Sequence, residues 1–179
     1  MKKLLLYFLI IIFGLTGCSR ELADIKNRMP KTRPDDFSLT IEWSTGTLPE
    51  PQMFYSYQVK IGPGEESSFY YRSGDGSAEL TSIFNLSAEN LNGLYFFLVK
   101  ESAFRSTWET GDPIDGGPVL YVTLIADKRQ FAYPLISELS ETDRNSAYAI
   151  LEAANSYVPE ECWTEMNRLQ LQSEAAYEE

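Results

Sequence analysis

Between Phe37 and Phe84 the chain repeatedly alternates apolar and polar residues, and no other property restricts its fold as much. Phe37, Leu39, Ile41 and Trp43 fall on one side of an extended segment, with Ser38, Thr40 and Glu42 on the other. Met53, Tyr55, Tyr57, Val59 and Ile61 repeat the pattern after a Thr45-Gly46-Thr47-Leu48-Pro49 break. Successive side chains of a strand point to opposite faces, so period two marks strands buried on one side. Gly62-Pro63-Gly64-Glu65 and Gly74-Asp75-Gly76-Ser77 are turn sequences leading into Ser67–Arg72 and Glu79–Phe84. Four consecutive strands joined by such loops predict an antiparallel meander.

The period then changes. Ser87 is placed to cap a helix with Glu89 in its first turn and Leu91, Leu94, Tyr95, Leu98 and Val99 on one face. Asn85-Leu86-Ser87 matches a glycosylation sequon, but in this position it reads as the cap region. A polar loop from Arg105 to Pro118 follows. Val119–Ala126 is nearly continuous in apolar residues, which predicts a central strand covered on both sides. Asp127-Lys128 is a turn, and Arg129–Tyr133 is the return strand. Ser140-Glu141-Thr142-Asp143 resembles a capping box with Asp in place of Glu, ahead of a face made by Ala147, Ile150, Leu151, Ala154 and Val158. Pro159 restarts the chain for a last helix through Trp163, Met166, Leu169 and Gln170. The expected fold is α+β: an antiparallel sheet of about six strands (a four-strand meander, a helix, a hairpin) with two C-terminal helices packed on one face. No period of solenoid or propeller length repeats.

The chain contains no histidine, which removes the commonest general base and the commonest transition-metal ligand together. There is no G-x-S-x-G elbow, P-loop or G-x-G-x-x-G fingerprint. No catalytic residue, metal site or cofactor is expected. Two groups of residues remain candidates for ligand binding. Asp112 and Asp115 lie in a Gly/Pro-rich loop near Trp108 and could form a carboxylate pair for glycan hydrolysis. Asp, Pro and Gly are also the ordinary residues of connections, and the loop lacks the spaced acids and terminal Glu of an EF-hand calcium site. The second group is aromatic, in a chain with 13% aromatic residues and 11 tyrosines. If Tyr55, Tyr57, Phe69 and Tyr71 pack inward, Phe54 and Tyr70 stand on the outer face, as cross-strand pairs or as a platform for sugar or peptide.

The N-terminus carries a different message. Lys2 and Lys3 precede an apolar run from Leu4 to Phe13, too short to span a membrane, and Leu15-Thr16-Gly17-Cys18 follows. This resembles a bacterial lipoprotein signal peptide with its lipobox. The resemblance implies cleavage before Cys18, a diacylglyceryl group on that thiol, and two or three acyl chains in all, enough for stable membrane anchoring. It divides the chain into a signal peptide (1–17), a lipidated N-terminus and basic tether (18–34) and one α+β domain (35–179). Ser19 is not the aspartate of inner-membrane retention, so an outer membrane is the expected location in a double-membrane host and the cell membrane otherwise, on the extracytoplasmic face. With Cys18 carrying lipid, Cys162 has no partner for a disulfide and reads as a buried thiol.

Net charge is −11, and loss of Lys2 and Lys3 with the signal makes it −13. Such a body repels phosphate-rich partners, so nucleic-acid binding is disfavoured. Small lipoproteins of this kind often act as binding or assembly factors. The leading expectation is therefore a non-enzymatic envelope module binding a protein or glycan; the alternatives are an inhibitor of a basic enzyme such as lysozyme, or a carboxylate-based glycan hydrolase.

Overall fold

A computed structural model describes residues 29–46, 53–113 and 116–176. The signal segment, Cys18 and Asp115 lie outside the described residues. Strands β1 (Ser38–Ser44), β2 (Tyr55–Ile61), β3 (Glu66–Ser73) and β4 (Glu79–Asn85) are followed by helix α1 (Ala88–Lys100), strands β5 (Val119–Ala126) and β6 (Arg129–Ala132), and helices α2 (Glu141–Asn155) and α3 (Glu160–Ala175). The strands form one sheet in the order β4-β3-β2-β1-β5-β6, antiparallel throughout. The meander is present as expected, and the segment containing α1 carries the chain back so that β5 can pair with the free edge of β1.

Side chains decide how the sheet is covered. Leu39, Ile41, Val59, Ile61, Phe69, Tyr71, Val122 and Leu124 point to one face and are buried. They meet Leu91, Leu94, Tyr95 and Leu98 of α1, Ala147, Ile150 and Ala154 of α2, and Cys162 and Met166 of α3 in one core. Each large apolar side chain so enclosed contributes roughly 1.5–3 kcal/mol. Trp163 of α3 sets its ring edge-on to Tyr57 at 5.2 Å and to Phe69 at 4.9 Å between centroids. Asn155 Nδ2 donates to the Tyr57 hydroxyl at 3.0 Å, tying the end of α2 to the middle of the sheet.

Three local features have specific causes. Ser87 caps α1 by accepting from Asn90 N–H. The β5–β6 turn has positive φ at both Asp127 (54°) and Lys128 (60°), a type I′ geometry in which glycine or asparagine is usual. Here the Asp36 carboxylate accepts from both turn amides, at 2.9 and 2.6 Å, and holds the turn from outside. Those amide hydrogen bonds, Lys128 first, also lower the Asp36 pKa below the usual carboxylate value. Gly46 has a φ of +80°, and a Cβ there would collide with the Gly117 carbonyl oxygen; glycine lets the chain leaving β1 touch the chain entering β5.

Two expectations are corrected. β5 is covered on one face only: Tyr121 is 49% exposed and Ile125 36%, alternating with buried Leu120, Val122, Leu124 and Ala126. An apolar run does not distinguish two-sided cover from one-sided cover when the outward positions also carry large residues. The Ser140 hydroxyl caps α2 by accepting from Asp143 N–H, but the Asp143 carboxylate does not return to the Ser140 amide. That amide donates to Glu109 O at 2.8 Å, and Asp143 turns toward Arg105 and the Glu109 amide instead. Finally, Met29–Pro34, the end of the expected tether, lies on the domain. Met29 is buried beside Arg129, Tyr95 donates to Pro30 O at 2.8 Å, and Arg33 Nε donates to Asn92 Oδ1 at 2.9 Å.

Candidate binding face on the open side of the sheet

No described helix covers the other face of the sheet, and pairing register brings its residues into a row. Glu42 of β1 stands opposite Gln58 of β2 on one side and Tyr121 of β5 on the other. Gln58 in turn faces Tyr70 of β3, and Tyr70 faces Thr81 of β4. The sequence Thr81, Tyr70, Gln58, Glu42, Tyr121 thus crosses five strands. With neighbouring strands about 4.8 Å apart, the two tyrosines are set about 14 Å from one another along the sheet. In the adjacent row Ser56 pairs with Ser44, and Ser44 with Val119.

Gln58 Nε2 donates to Glu42 Oε1 at 2.8 Å. That bond uses one Glu42 carboxylate oxygen and one Gln58 N–H, leaving the other carboxylate oxygen and the Gln58 carbonyl to accept from a ligand. Tyr70 is steadied from the other side, its hydroxyl donating to Glu79 Oε1 at 3.2 Å while Arg72 Nε lies 3.4 Å from the same oxygen. Partial desolvation, then this bond to a carboxylate, raises the Tyr70 pKa above its ordinary value, so the phenol stays a neutral donor. Phe54, just before β2, lies along that strand from Gln58, on the same side of it as Ser56 and Gln58. These residues line a cleft of about 310 Å³, with Phe54, Tyr70 and Tyr121 as aromatic walls and Glu42, Ser44 and Gln58 as a polar floor.

The structure therefore brings together two of the residues singled out in the sequence, Phe54 and Tyr70, and places Trp108 and Asp112 outside the cleft. Trp108 belongs to another cluster. Its ring lies 3.9 Å from the Arg105 guanidinium carbon and 3.8 Å from the Tyr133 ring. Arg105 pairs with Asp143 Oδ1 at 2.7 Å, with both side chains about nine-tenths buried, and Asp143 Oδ2 accepts from Glu109 N–H at 2.8 Å. Burial raises the Tyr133 pKa strongly, and its hydroxyl donates to Ala103 O at 3.2 Å. This ion pair, with the Arg105 guanidinium over Trp108 and the tilted Trp108–Tyr133 contact, fastens the start of the Arg105–Pro118 loop to α2. Asp112 is exposed farther along that loop.

Glu42, Gln58 and Tyr121 are cleft residues that sequence reasoning missed. Glu42 and Gln58 read as ordinary solvent-facing positions, and Tyr121 was absorbed into the apolar run of β5. Their outward parity in three strands was visible, but the register that aligns them was not. Charges on this face nearly balance, with Glu42, Glu66 and Glu79 against Lys60 and Arg72.

Among the described residues no group of three His, Cys, Asp or Glu side chains could hold a metal ion, and no helix is long and apolar enough to cross a membrane. No protein-family model matches the chain, and no curated protein matches it in sequence.

Proposed function

We propose that this protein is a lipid-anchored, non-enzymatic binding module of the bacterial envelope that takes its ligand on the uncovered face of the sheet. The observation that carries this reading is the aligned row from Tyr70 to Tyr121 with its hydrogen-bonded Glu42–Gln58 pair. Exposed aromatic side chains beside fixed polar groups are the usual composition of a recognition surface, combining apolar contact area with orientation.

The entry of the chain into the domain supports the same reading. Met29 and Pro30 lie against Arg129 and Tyr95, on the side of the sheet that the helices cover. Cys18 lies eleven positions before Met29 in the sequence, so the chain coming from the proposed anchor joins the domain on the helix-covered side and not on the open face. The anchor would sit in the outer membrane of a double-membrane host, or in the cell membrane of another.

The alternatives draw less from the residues. An inhibitor of a basic enzyme would gain from carboxylates clustered on its docking surface, and this face is nearly balanced. Trp108, the aromatic residue nearest the candidate hydrolase loop, is engaged with Arg105 and Tyr133.

Three measurements test the proposal. Mass spectrometry of the membrane-extracted protein should find acyl groups at Cys18, and Cys18→Ser should release the domain from the membrane fraction. Capture of envelope material by the full-length protein in detergent should fall at least tenfold in Tyr121→Arg, which places a bulky cation in the cleft while leaving the core untouched. Equal capture by both proteins would sink the open-face assignment, and an unacylated exported form would sink the anchor.

A further inference from the structure

The chemistry of the cleft narrows the class of ligand. We infer that the site formed by Phe54, Tyr70, Tyr121, Glu42 and Gln58 binds a neutral oligosaccharide; this rests on the open-face reading above and specifies its ligand.

Three properties of the cleft lead there. Its walls are aromatic rings, which pack against the apolar C–H face of a pyranose. Its floor offers paired acceptors and donors: the outward oxygen of Glu42, the carbonyl and remaining N–H of Gln58, and the Ser44 and Ser56 hydroxyls. Vicinal sugar hydroxyls donate and accept at once, and such a mixed floor satisfies both roles. The Glu42–Gln58 hydrogen bond of 2.8 Å fixes the two groups before a ligand arrives, which lowers the ordering cost of binding.

Other ligand classes fit less well. An anion would approach a chain of net charge −11 and meet the Glu42 carboxylate. A cationic segment would find Glu42 as the one acid among the described residues that line the cleft, already engaged by Gln58, with Lys60 two positions along the same strand. Glu79 is spent on Tyr70 and Arg72. An apolar peptide would leave the carboxylate and carboxamide desolvated and unpaired. The spacing of Tyr70 and Tyr121, about 14 Å across three strand intervals, leaves room for more than one sugar ring between them. A shallow open cleft of this kind predicts weak affinity, with Kd of about 0.1–1 mM.

The test is a calorimetric titration of the full-length protein in detergent with hexamers of glucose and of N-acetylglucosamine. At least one hexamer should bind saturably, with little change between low and high salt, because no charge is neutralised. Tyr121→Ala and Tyr70→Ala should each weaken binding about tenfold or more, and Gln58→Ala severalfold. Ile83→Ser, on the same face of β4 but outside the cleft, should leave it unchanged, and all four variants should retain the wild-type thermal unfolding profile to within a few degrees. Absence of binding by either hexamer, while Tyr121→Arg still reduces capture of envelope material, would overturn the sugar assignment and leave the open-face reading in place. Binding that the tyrosine variants do not weaken would overturn both.

Discussion

Tyr70 and Tyr71 are consecutive residues of β3, and they illustrate the two faces of the sheet. Tyr71 is fully buried among the helices, where desolvation raises its pKa to about 12 and its hydroxyl has no hydrogen-bond partner among the described residues. Tyr70 faces outward with its hydroxyl on Glu79. The helix-covered face uses aromatic rings as packing volume: Trp43, Tyr57, Phe69 and Trp163 form a run of contacts with centroids 4.9 to 5.9 Å apart. The open face holds its rings apart and places hydrogen-bonding groups between them. The same residue types thus serve stability on one face and recognition on the other, and only the covering helices separate the two uses.

If this contrast is right, substitutions should sort by face. The largest effect is expected for Phe69→Ala, which leaves a cavity between Tyr57 and Trp163; chemical denaturation should show a loss of about 3–5 kcal/mol. Asp143→Ala removes the partner of buried Arg105 and should cost about 3 kcal/mol, because an uncompensated guanidinium remains in the interior. The double variant Arg105→Met/Asp143→Leu should recover much of that loss. A double variant as unstable as Asp143→Ala would show that the charges, and not their separation, hold the loop.

A smaller effect is expected where the sheet edge meets α3. The Asp75 carboxylate accepts from Ser73 and Ser77 and from Ser173 of α3, and the Ser73 hydrogen bond first, then the Ser77 amide, hold its pKa at about 2. A pKa lowered by folding means that this contribution is fully present above the unfolded value of 3.8 and is lost as pH falls from there toward about 2. Because Asp75 is exposed, water screens the interaction, and its contribution should be less than about 1 kcal/mol. Unfolding free energies of wild type and Asp75→Asn should converge as the pH drops through that window. The smallest stability change, within about 0.5 kcal/mol, belongs to Tyr121→Ala, whose ring leaves no cavity in the core. That variant should lose ligand binding and keep its fold, the reverse of Phe69→Ala.

Several parts of this arrangement were legible in the residue order. Alternation in β1 and β2 identified which side chains enter the core, Ser87 and Ser140 marked the starts of α1 and α2, and the inward set of Tyr57, Phe69 and Tyr71 placed Tyr70 outside. Local rules sufficed there because a strand's parity and a helix's cap are fixed by residues only a few positions apart. The candidate site was legible only in part. Phe54 and Tyr70 could be assigned to the outer face, but Tyr121 could not, since an apolar outward residue looks like a core residue until its cover is known. Asp143 shows the same limit at a cap, where a distant Arg105 takes the carboxylate that the local motif would have used.

By itself, then, the sequence determined the kinds and order of the elements, the absence of histidine chemistry, the acidic charge and the inward parity of β1 and β2. These depend on composition and on neighbours along the chain. The tertiary structure alone decided which face of the sheet stays open, that Glu42, Gln58, Tyr70 and Tyr121 fall into one row, and that Trp108 is committed to a buried ion pair. Each of these joins residues far apart in the chain, through strand register and helix docking, and no local pattern encodes either.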